Sequence, residues 1–543
     1  MQQSSVAQIF AVLAVATGLA ACASERDIAG VVPAGGGGAG GDLGLGGFGL
    51  GGEPPRACKV IDDALDAPPP CTQQAPPNSF SPVTQWEWTA PLDGVFHYGS
   101  IVTPLVGNFT DDNGDGSIDL CDVPDILVTV SDQLISSENP GAPATIYMLS
   151  GDTGALELTF SAKVNLEITP AFGDIDGDGL PEVIAATPSE ADPRLIAFEH
   201  DGTVKWVGPD VGGWMANESL NCSSIALYDL EGDGAVEILI GFEVFDASGE
   251  RKWGIPGNGS EFAEASYWCP TTTAADLDDD GMLDVVFGHA AYRADGTLLW
   301  QVPGNPGHPH IANFDDDPEP EVFLTTDEGL SVIEANGTVK FGPVRPTSPT
   351  INAQCWCKPG AVHDFDGDGK ADVAAGSCTD YSVYEMGATA TPKWTQAIVD
   401  QSGIATGTAF DFLGDGVADA IYGDENFAYV FEGVTGEVEL KVQRNSATIV
   451  EYPVVADVDN DGSAEIVVTS NFGYGPTVRV IKDAGDRWIP ARRIWNQHAY
   501  HVTNVREDGV IPKKMAKSWK LLNTFRTNSQ VEVEGDCAPE PPH

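Results

Sequence analysis

The segment that decides the fold runs from Asp364 to Asp372 and reads Asp-Phe-Asp-Gly-Asp-Gly-Lys-Ala-Asp. It places a carboxylate at its first, third, fifth and ninth positions and a glycine at its fourth and sixth. The sixth-position glycine permits a sharp turn, so the alternating carboxylates point at one spot. Several hard oxygen ligands on one tight loop suit calcium. An apolar run, Val373–Ala375, follows at once and predicts a strand.

Seven further segments repeat this pattern, which makes eight copies. The copies begin at positions 111, 174, 229, 276, 313, 364, 411 and 457, and quasi-regular spacing of this kind indicates a repeat architecture. We predict calcium at several of them, up to eight. The predicted ligands are Asp111, Asn113, Asp115, Asp119, Asp174, Asp176, Asp178, Glu182, Asp229, Glu231, Asp233, Glu237, Asp276, Asp278, Asp280, Asp284, Asn313, Asp315, Asp317, Glu321, Asp364, Asp366, Asp368, Asp372, Asp411, Asp415, Asp419, Asp457, Asp459, Asp461 and Glu465.

Three copies depart from the pattern. Leu413 stands at the third position of the copy at 411 and cannot ligate an ion through its side chain. Pro318 stands where glycine is expected in the copy at 313. In the first copy Asp119 is followed by the segment 120–125, so the last ligand of that loop is left open.

Short apolar runs alternate with turn signals between the loops. After the loop at 276, the runs Asp284–Phe287 and Ala290–Arg293 are followed by the turn Asp295-Gly296 and the run Thr297–Trp300. Asp-Gly and Asn-Gly pairs between apolar runs are strong hairpin signals. With the strand that enters each loop, this makes four strands per unit. The predicted fold is therefore an all-β propeller, with eight four-stranded blades favoured and seven as the alternative.

A tryptophan recurs at the same place in successive units. Trp206, Trp253 and Trp300 are 47 residues apart. The rings could line a carbohydrate-binding face or pack between neighbouring blades. The large apolar body of indole favours packing between blades.

The loops resemble the calcium loops of FG-GAP/VCBS repeats, the units of integrin α-chain propellers and of many bacterial surface proteins. The resemblance covers about residues 84 to 500. It implies ions that stabilise each blade and partners that bind on a different surface. Integrin propellers have seven blades, whereas the eight motifs here favour eight, as in rhamnogalacturonan lyases of related architecture.

The charge balance excludes one class of partner. The chain has 81 acidic and 27 basic residues, a formal net charge of -54. Nucleic acid is not an expected partner, because affinity for phosphates comes from Lys and Arg. An acidic, self-repelling surface is typical of a soluble monomer.

The N-terminus predicts export. The apolar stretch Val6–Ala21 is too short for an ordinary membrane span and fits the core of a signal peptide, residues 1–21. Its last residues, Leu19-Ala20-Ala21-Cys22, resemble the lipobox of bacterial lipoproteins, which implies lipidation of Cys22 and a location in the cell envelope, at the outer membrane or cell surface. Residues 22–83 are rich in Gly and Pro and are expected to form a flexible tether, so the membrane is met only through the lipid.

The ten cysteines support export. Cys58 and Cys71 flank a proline-rich turn, and Cys355, Cys357 and Cys378 lie within one unit. A Cys-x-Cys pair without a matching histidine pattern is weak evidence for zinc, so disulfides are favoured. The pairing itself is left open.

The stretch from Trp488 to His501 is dense in aromatic and basic residues and resembles the closing segment of bacterial FG-GAP proteins. Three interpretations compete: His498 and His501 on one helical turn binding a metal, a basic cluster binding an acidic glycan, or closure of the ring. In the third, the strand around Gln85–Trp88 completes the last blade. Closure is favoured because a propeller must seal its edge strands. The propeller is assigned to residues 84–505, and the closing segment and tail to 506–543.

Two functions from different classes remain. The first is a surface-anchored calcium propeller that binds a protein or glycan, as in adhesion. The alternative is an extracellular polysaccharide lyase or hydrolase, for which His308, His310, Arg492 and His498 are candidate groups. A quinone-dependent dehydrogenase is a third interpretation, suggested only by the rhythm of hairpins and tryptophans.

Overall fold

The strands form eight separate antiparallel sheets arranged as a β-propeller. The computed structural model describes residues 70–91, 99–131, 141–188, 194–209, 223–255, 270–315, 317–348, 353–356, 358–400, 404–471 and 475–531. The prediction of an all-β propeller with eight four-stranded blades is confirmed. The signal segment, Cys22 and the tether up to residue 69 lie outside the described residues.

The blades are numbered here in chain order. The strand β1 (Pro82–Trp88) precedes blade 1, which contains β2 (Leu105–Gly107), β3 (Asp125–Val130), β4 (Pro143–Ser150) and β5 (Leu156–Thr159), with β6 (Val164–Asn165) paired to β4. Blade 2 contains β7 (Ala171–Gly173), β8 (Glu182–Ala186), β9 (Leu195–Phe198) and β10 (Val204–Val207). Blade 3 contains β11 (Ile225–Tyr228), β12 (Glu237–Ile240), β13 (Glu243–Phe245) and β14 (Arg251–Gly254). Blade 4 contains β15 (Thr272–Ala275), β16 (Asp284–Phe287), β17 (Ala290–Tyr292) and β18 (Leu298–Gln301).

The second half of the ring follows the same order. Blade 5 contains β19 (Gly307–Ala312), β20 (Glu321–Thr326), β21 (Gly329–Glu334) and β22 (Val339–Val344). Blade 6 contains β23 (Ala361–His363), β24 (Asp372–Gly376), β25 (Asp380–Met386) and β26 (Ala390–Ala397), and a 3-10 turn (Ala353–Trp356) precedes it. Blade 7 contains β27 (Gly407–Phe410), β28 (Asp419–Gly423), β29 (Phe427–Phe431) and β30 (Val438–Gln443). Blade 8 contains β31 (Val454–Ala456), β32 (Glu465–Thr469) and β33 (Val478–Asp483).

The N-terminal strand completes blade 8. β1 pairs antiparallel with β33, from Pro82 opposite Asp483 to Trp88 opposite Val478. The last blade therefore takes its outer strand from the other end of the chain. The predicted closure through the Gln85–Trp88 region is confirmed.

The second strand of each blade is buried on both faces. β12, β16 and β32 are buried along their whole length. Each of these strands begins with a carboxylate and is apolar after it, without the alternation of polar and apolar residues. The reason is that neighbouring blades pack against both of its faces. This stack of strands is the core of the protein.

The recurring tryptophans join each blade to the next one. Trp253 Nε1 donates a hydrogen bond of 2.8 Å to Ala294 O in the hairpin of the following blade, and Trp300 does the same to Ala335 O. Trp86 of β1 reaches Gly151 O of blade 1 at 2.7 Å, across the point of closure. The packing interpretation of the tryptophans is confirmed.

A C-terminal stretch, residues 488–531, runs along the inner strands, and we call it the axial segment. Trp495 pairs with Val106 of blade 1, and Phe525 pairs with Val362 of blade 6. Gln497 Oε1 accepts a 2.8 Å hydrogen bond from Leu227 N of blade 3. Further hydrogen bonds join it to blades 2, 5, 7 and 8 through Phe172, Asn313, Thr408 and Val455. The closing role is therefore wider than one blade.

The other two interpretations of this stretch lose the features on which they were based. Residues 488–517 contain no helix, so the helical spacing of His498 and His501 is not realised, and the helix α1 is confined to Ser518–Leu521. Arg492 and Arg493 are buried and cannot present a basic surface. Lys513, Lys514 and Lys520 are exposed.

The body also includes part of the stretch assigned to the tether. Ala75 N donates to Leu413 O at 2.8 Å, and Phe80 packs against Phe412 and Trp488 with ring centroids 5.6 and 5.3 Å apart. Residues 70–81 therefore lie on the propeller. Among the described residues, no helix has the length and apolar character that a membrane crossing needs.

One predicted disulfide is present in the cysteine cluster. Cys355 and Cys378 are bonded, and Cys357 lies outside the described residues. Cys71 and Cys121 each take part in a disulfide as well. Disulfides rather than a zinc site are the finding for these four cysteines.

Candidate metal centres

Each acidic loop joins the first strand of its blade to the second. In blade 6, Asp364 accepts hydrogen bonds from Gly367 N and Gly369 N, both at 2.7 Å, through its two oxygens. Both glycines have positive φ, 74° and 81°, a conformation that L side chains rarely adopt. Asp174, Asp229, Asp411 and Asp111 hold their loops in the same way.

The ninth-position carboxylate begins the second strand and is buried. Seven residues take this place: Glu182, Glu237, Asp284, Glu321, Asp372, Asp419 and Glu465. Glu182 Oε2 accepts a 3.1 Å hydrogen bond from Ile175 N, and Glu465 Oε2 accepts a 3.0 Å bond from Val458 N. One oxygen of each carboxylate is thereby held by a backbone N–H, and the other is available to a cation or a side chain in the acidic loop.

In the described part of the chain, at least four loops bring predicted ligands together. Their oxygen atoms lie within 4.8 Å of one another in the groups Asp174/Asp176/Glu182, Asp276/Asp278/Asp280, Asp315/Glu321/Glu334 and Asp364/Asp366/Asp372. Glu334 of blade 5 was not predicted. A group of carboxylates this close suits a divalent cation with oxygen ligands.

Burial sets the electrostatics of these groups. Removal from water raises the pKa of Glu182, Glu237, Asp284 and Asp372, each to about 7. In blade 8 burial raises the pKa of Asp461 to about 6 and holds the pKa of Asp457 and Glu465 well above the usual range. A nearby cation would offset the free-energy cost of keeping these buried carboxylates ionised.

All eight outer strands carry a β-bulge at the same place. In blade 5, Val339 pairs with Ile333 and Phe341 with Val332, so Lys340 between them has no partner across the sheet. A bulge re-aims the side chain of its extra residue. We call these the bulge residues: Glu157, Lys205, Lys252, Leu299, Lys340, Lys393, Glu439 and Gln85 in blades 1 to 8.

Four bulge residues are lysines that reach into the acidic loop of their own blade. Lys205 Nζ lies 2.7 Å from Asp176 and 2.9 Å from Glu182. Lys340 Nζ lies 2.8 Å from Glu321 and also bonds Asp315. Lys252 and Lys393 make the same contacts in blades 3 and 6. These loops contain a cation supplied by the chain.

Blade 4 obtains its cations elsewhere, since its bulge residue is Leu299. Arg293 bonds Asp278 and Asp280, and Lys517 of the axial segment lies 3.2 Å from Asp276. Blades 2 to 6 thus all hold a basic side chain in the loop.

Blade 1 differs from its sequence pattern. Asp122, which was not predicted, folds back onto the loop and accepts hydrogen bonds from Asp112 N, Asn113 N and Asp119 N at 3.1, 3.3 and 2.8 Å. Asp125 begins β3, the place that the ninth-position carboxylate takes elsewhere. Its oxygen lies within 4.8 Å of oxygens of Asp112 and the bulge residue Glu157. The insertion after Asp119 separates the two acidic groups.

Blade 7 also carries a glutamate at the bulge. Burial, and after it the charge of Glu439, hold the pKa of Asp419 well above the usual range. Asp411 and Asp415 hold the loop turn, and Leu413 offers no ligand. This loop has extra negative charge but one ligand fewer.

The loop of blade 8 is the most buried. Asp457 and Glu465 are 1% and 0% exposed, and one oxygen of each, Asp457 Oδ1 and Glu465 Oε1, has no hydrogen-bond partner. Buried charged oxygens without a partner are costly, so this set of donors fits a bound cation.

The sequence patterns did not single out the bulge residues or Asp112, Asp122 and Asp125. A signal for the lysines was present: each stands directly before the aromatic residue of its outer strand, as in Lys205-Trp206 and Lys340-Phe341. Its meaning depends on the bulge, which the sequence does not display.

A cavity of about 600 Å³ lies between the loops of blades 1 and 2. It is lined in part by Asp111, Asp119, Asp178 and Asp508. Four carboxylates make it an acidic cleft.

Comparisons with known proteins agree with the repeat. A family model described as FG-GAP-like repeat matches residues 174–240 and 313–375, which span the loops of blades 2, 3, 5 and 6. A search of the curated proteins found no match.

Solved structures share the fold. The V. cholerae biofilm matrix protein Bap1 is 21% identical, with a TM-score of 0.68 over 84% of this chain and 100% of that one. The exotype rhamnogalacturonan lyase YesX is 16% identical, with a TM-score of 0.51 over 74% of this chain and 75% of that one. The Bacillus licheniformis rhamnogalacturonan lyase PL11 is 17% identical, with a TM-score of 0.50 over 81% and 82%. The chain is thus an eight-bladed β-propeller in which residues 174–240 and 313–375 match an FG-GAP-like repeat.

Proposed function

We propose that this protein is an exported, lipid-anchored, calcium-binding propeller that serves as a surface adhesion or interaction module. The observation that carries the proposal is the burial of every group considered for catalysis. His308, His310 and His498 are 0% exposed and Arg492 is 3% exposed. A general base must reach its substrate, and these four groups lie in the core.

The contacts of Arg492 and His310 are those of structural residues. Arg492 donates to Val502 O and Val505 O at 2.6 and 2.7 Å. His310 Nε2 accepts a 2.7 Å hydrogen bond from Gly360 N. Burial holds the pKa of His310 and His498 well below the usual range, which favours neutral rings. Such groups pack the axis of the ring.

Calcium is the proposed cofactor of the acidic loops between the first and second strands of the blades, which we call the rim loops. At calcium tenfold above a dissociation constant, each occupied site adds about 1.4 kcal/mol to the folded state. Extracellular calcium modules often bind at about 10⁻⁴–10⁻³ M, so occupancy follows the surroundings of the cell. A propeller with several such sites is rigid where calcium is present.

The alternative function, a polysaccharide lyase or hydrolase, is supported by the fold that this chain shares with two rhamnogalacturonan lyases. The acidic cleft between blades 1 and 2 disfavours an acidic polysaccharide there, since like charges repel. Propellers host both classes, so the fold alone does not decide.

One experiment separates the two. The purified protein is passed over acidic and neutral polysaccharides and over envelope fractions, in calcium and in chelator, and both retention and chain cleavage are scored. We expect calcium-dependent retention without cleavage. Calcium-dependent cleavage would replace the proposal with the enzyme, and the absence of retention on every surface would refute it.

Anchoring is tested separately. Cys22→Ser is expected to abolish lipid attachment and to release the protein into the soluble fraction. Metabolic labelling with a fatty acid and membrane fractionation measure the two effects. A Cys22→Ser protein that still sediments with membranes would refute the lipid anchor.

A further inference from the structure

The acidic loop of blade 8 is built from both ends of the chain. Asp457, Asp459, Asp461 and Glu465 come from the last blade, whereas the bulge residue Gln85 comes from β1. Gln85 Nε2 lies 2.7 Å from Asp459 Oδ2, so its amide is part of the cluster. In blades 2, 3, 5 and 6 the same place holds a lysine.

Three buried oxygens in this cluster lack a hydrogen-bond partner: Asp457 Oδ1, Glu465 Oε1 and Gln85 Oε1. The other oxygens of the two acids are fixed by Gly462 N and Val458 N, both at 3.0 Å. An unsatisfied buried polar atom costs about 1–3 kcal/mol, and a charged one costs more. A cation beside Asp457 Oδ1 and Glu465 Oε1 would offset this cost.

The basic side chains nearby do not bond these two carboxylate oxygens, although the charge of Arg493 lowers the pKa of Asp457 against the larger effect of burial. Lys482 Nζ bonds Asp486 at 2.6 Å and stays 3.8 and 3.7 Å from Asp459 and Asp461. Arg493 bonds Glu507 at 2.8 Å and turns its other nitrogen to Asn460 at 3.1 Å. Among the described residues, neither forms a hydrogen bond with the two unpartnered carboxylate oxygens.

Blade 5 shows the opposite arrangement. Lys340 places its ammonium 2.8 Å from Glu321 and 3.5 Å from Glu334, and it also bonds Asp315. Glu321 Oε2 accepts a hydrogen bond from Phe314 N at 2.8 Å, so both oxygens of this buried acid are satisfied. An external ion would have to displace the lysine.

We propose that blade 8 holds the tightest calcium site of the protein, and that Gln85 contributes its amide oxygen to it. The inference rests on the proposed calcium binding and adds a new ligand and a rank order to it. The ligands are Asp457, Asp459, Asp461, Glu465 and Gln85. Gln85 Oε1 is buried and has no hydrogen-bond partner, so it is available as a ligand while Nε2 keeps its bond to Asp459 Oδ2. Side-chain carbonyls are ordinary calcium ligands.

The site has a consequence for the ring. β1 is an outer strand, paired on one side only, and it is held by hydrogen bonds to β33. An ion shared by Gln85 and the last blade adds a second fastening between the two ends of the chain. Calcium at this one loop therefore strengthens ring closure, whereas calcium elsewhere acts within a single blade.

A reciprocal exchange of bulge residues tests the proposal. Gln85→Lys installs the internal cation of blade 5, and Lys340→Gln installs the bulge residue of blade 8. Calcium titration by calorimetry is expected to show that Gln85→Lys loses the tightest site, with its affinity weakened about tenfold or more, because a cation already fills the loop. Lys340→Gln is expected to gain a site. Lysine fits this bulge in four blades, so Gln85→Lys is expected to fold.

Hydrogen exchange supplies the second measurement. Calcium is expected to slow exchange of residues 82–88 in the unsubstituted protein and to have no such effect in Gln85→Lys. A calcium titration of Gln85→Lys that matches the unsubstituted protein, or equal exchange with and without calcium, would overturn the inference. A protein that binds no calcium at all would instead remove the calcium part of the proposed function.

Discussion

The rim and the axis of this propeller hold the blades by different means. The rim loops are local in sequence and crowded with carboxylates, and their charge is offset by a lysine or an arginine in blades 2 to 6 and, as we propose, by calcium in the others. The axial segment is one continuous stretch that contacts all eight blades, seven of them through bonds to the positions given above and blade 4 through Lys517, and its Trp495 and Tyr500 rings stack at 4.5 Å. The rim therefore depends on its surroundings, whereas the axis does not.

The largest expected effect lies at the axis. Trp495 is fully buried, and Trp495→Ala is expected to lower the free energy of unfolding by about 5 kcal/mol, because the lost side chain leaves a cavity. Denaturant titration in calcium and in chelator measures it. The loss is expected to be equal in both buffers, and Trp495→Phe, which keeps a ring against Tyr500, is the milder control. A loss that appears only in chelator would erase the distinction between axis and rim.

Removal of calcium is expected to act on the rim alone. Blades 1, 7 and 8 have neither a basic bulge residue nor, as blade 4 has, an arginine that bonds two carboxylates of the loop. Three sites at calcium tenfold above their constants would contribute about 4 kcal/mol together. Thermal melting in calcium and in chelator measures the change, with magnesium as the control cation. An identical melting temperature in all three buffers would mean that the rim, like the axis, needs no ion.

A buried acid away from the loops gives the next effect. Glu167 is 2% exposed, and burial raises its pKa to about 7 against the smaller lowering effect of a hydrogen bond from the Gly141 backbone. The folded state therefore holds the proton more tightly than the unfolded state, whose pKa is 4.5. The contribution of Glu167 to the free energy of unfolding therefore falls as the pH rises from about 4.5 to about 7 and is constant above that.

Glu167→Gln is expected to remove this dependence. At one pKa unit per 1.36 kcal/mol, the variant gains up to about 3 kcal/mol relative to the unsubstituted protein at pH 8 and nothing at pH 4.5. Denaturant titration at the two pH values, at constant calcium, measures the difference. An equal effect at both pH values would contradict the raised pKa.

The smallest expected effect concerns an exposed ion pair at the ring closure. Arg479 of β33 lies 2.7 Å from Glu87 of β1, whose side chain is 45% exposed. Glu87→Gln is expected to change the free energy of unfolding by less than about 1 kcal/mol, and by less still in high salt. Its effect on calcium binding is expected to be nil, in contrast to Gln85→Lys two residues away. A loss of calcium affinity in Glu87→Gln would indicate that charge alone, not ligation, governs blade 8.

The sequence predicted most of the fold because its signals are local. The loop glycines with positive φ and the Asp-Gly hairpins fix four strands per unit, and eight loops fix eight blades. The pairing of β1 with the last blade could also be predicted from the sequence, because a ring of blades must pair its edge strands. The bulge lysines were not, since Lys205 lies 31 positions after Asp174 and only the shifted register turns it toward that loop.

Two other features lay beyond sequence patterns for a physical reason. Blade 1 contains an insertion that moves the strand-heading acid from Asp119 to Asp125, and no periodicity marks the shift. The axial segment has neither strand nor helix periodicity over most of its length, and its partners lie hundreds of positions away. Trp495 pairs with Val106, a contact that only the closed ring creates.

The pairing of β1 with β33 also orders events in time. Blade 8 can form only after Asp483 is available to pair with Pro82. The axial contact of Phe525 involves a residue that lies still later in the chain. Contacts of such high sequence separation make folding slow. When the chain is synthesised or exported with its N-terminus first, β1 therefore stays unpaired until nearly the whole chain is available for folding. Assembly of this ring is a final step, and the protein is open to misassociation with other chains until that step is complete.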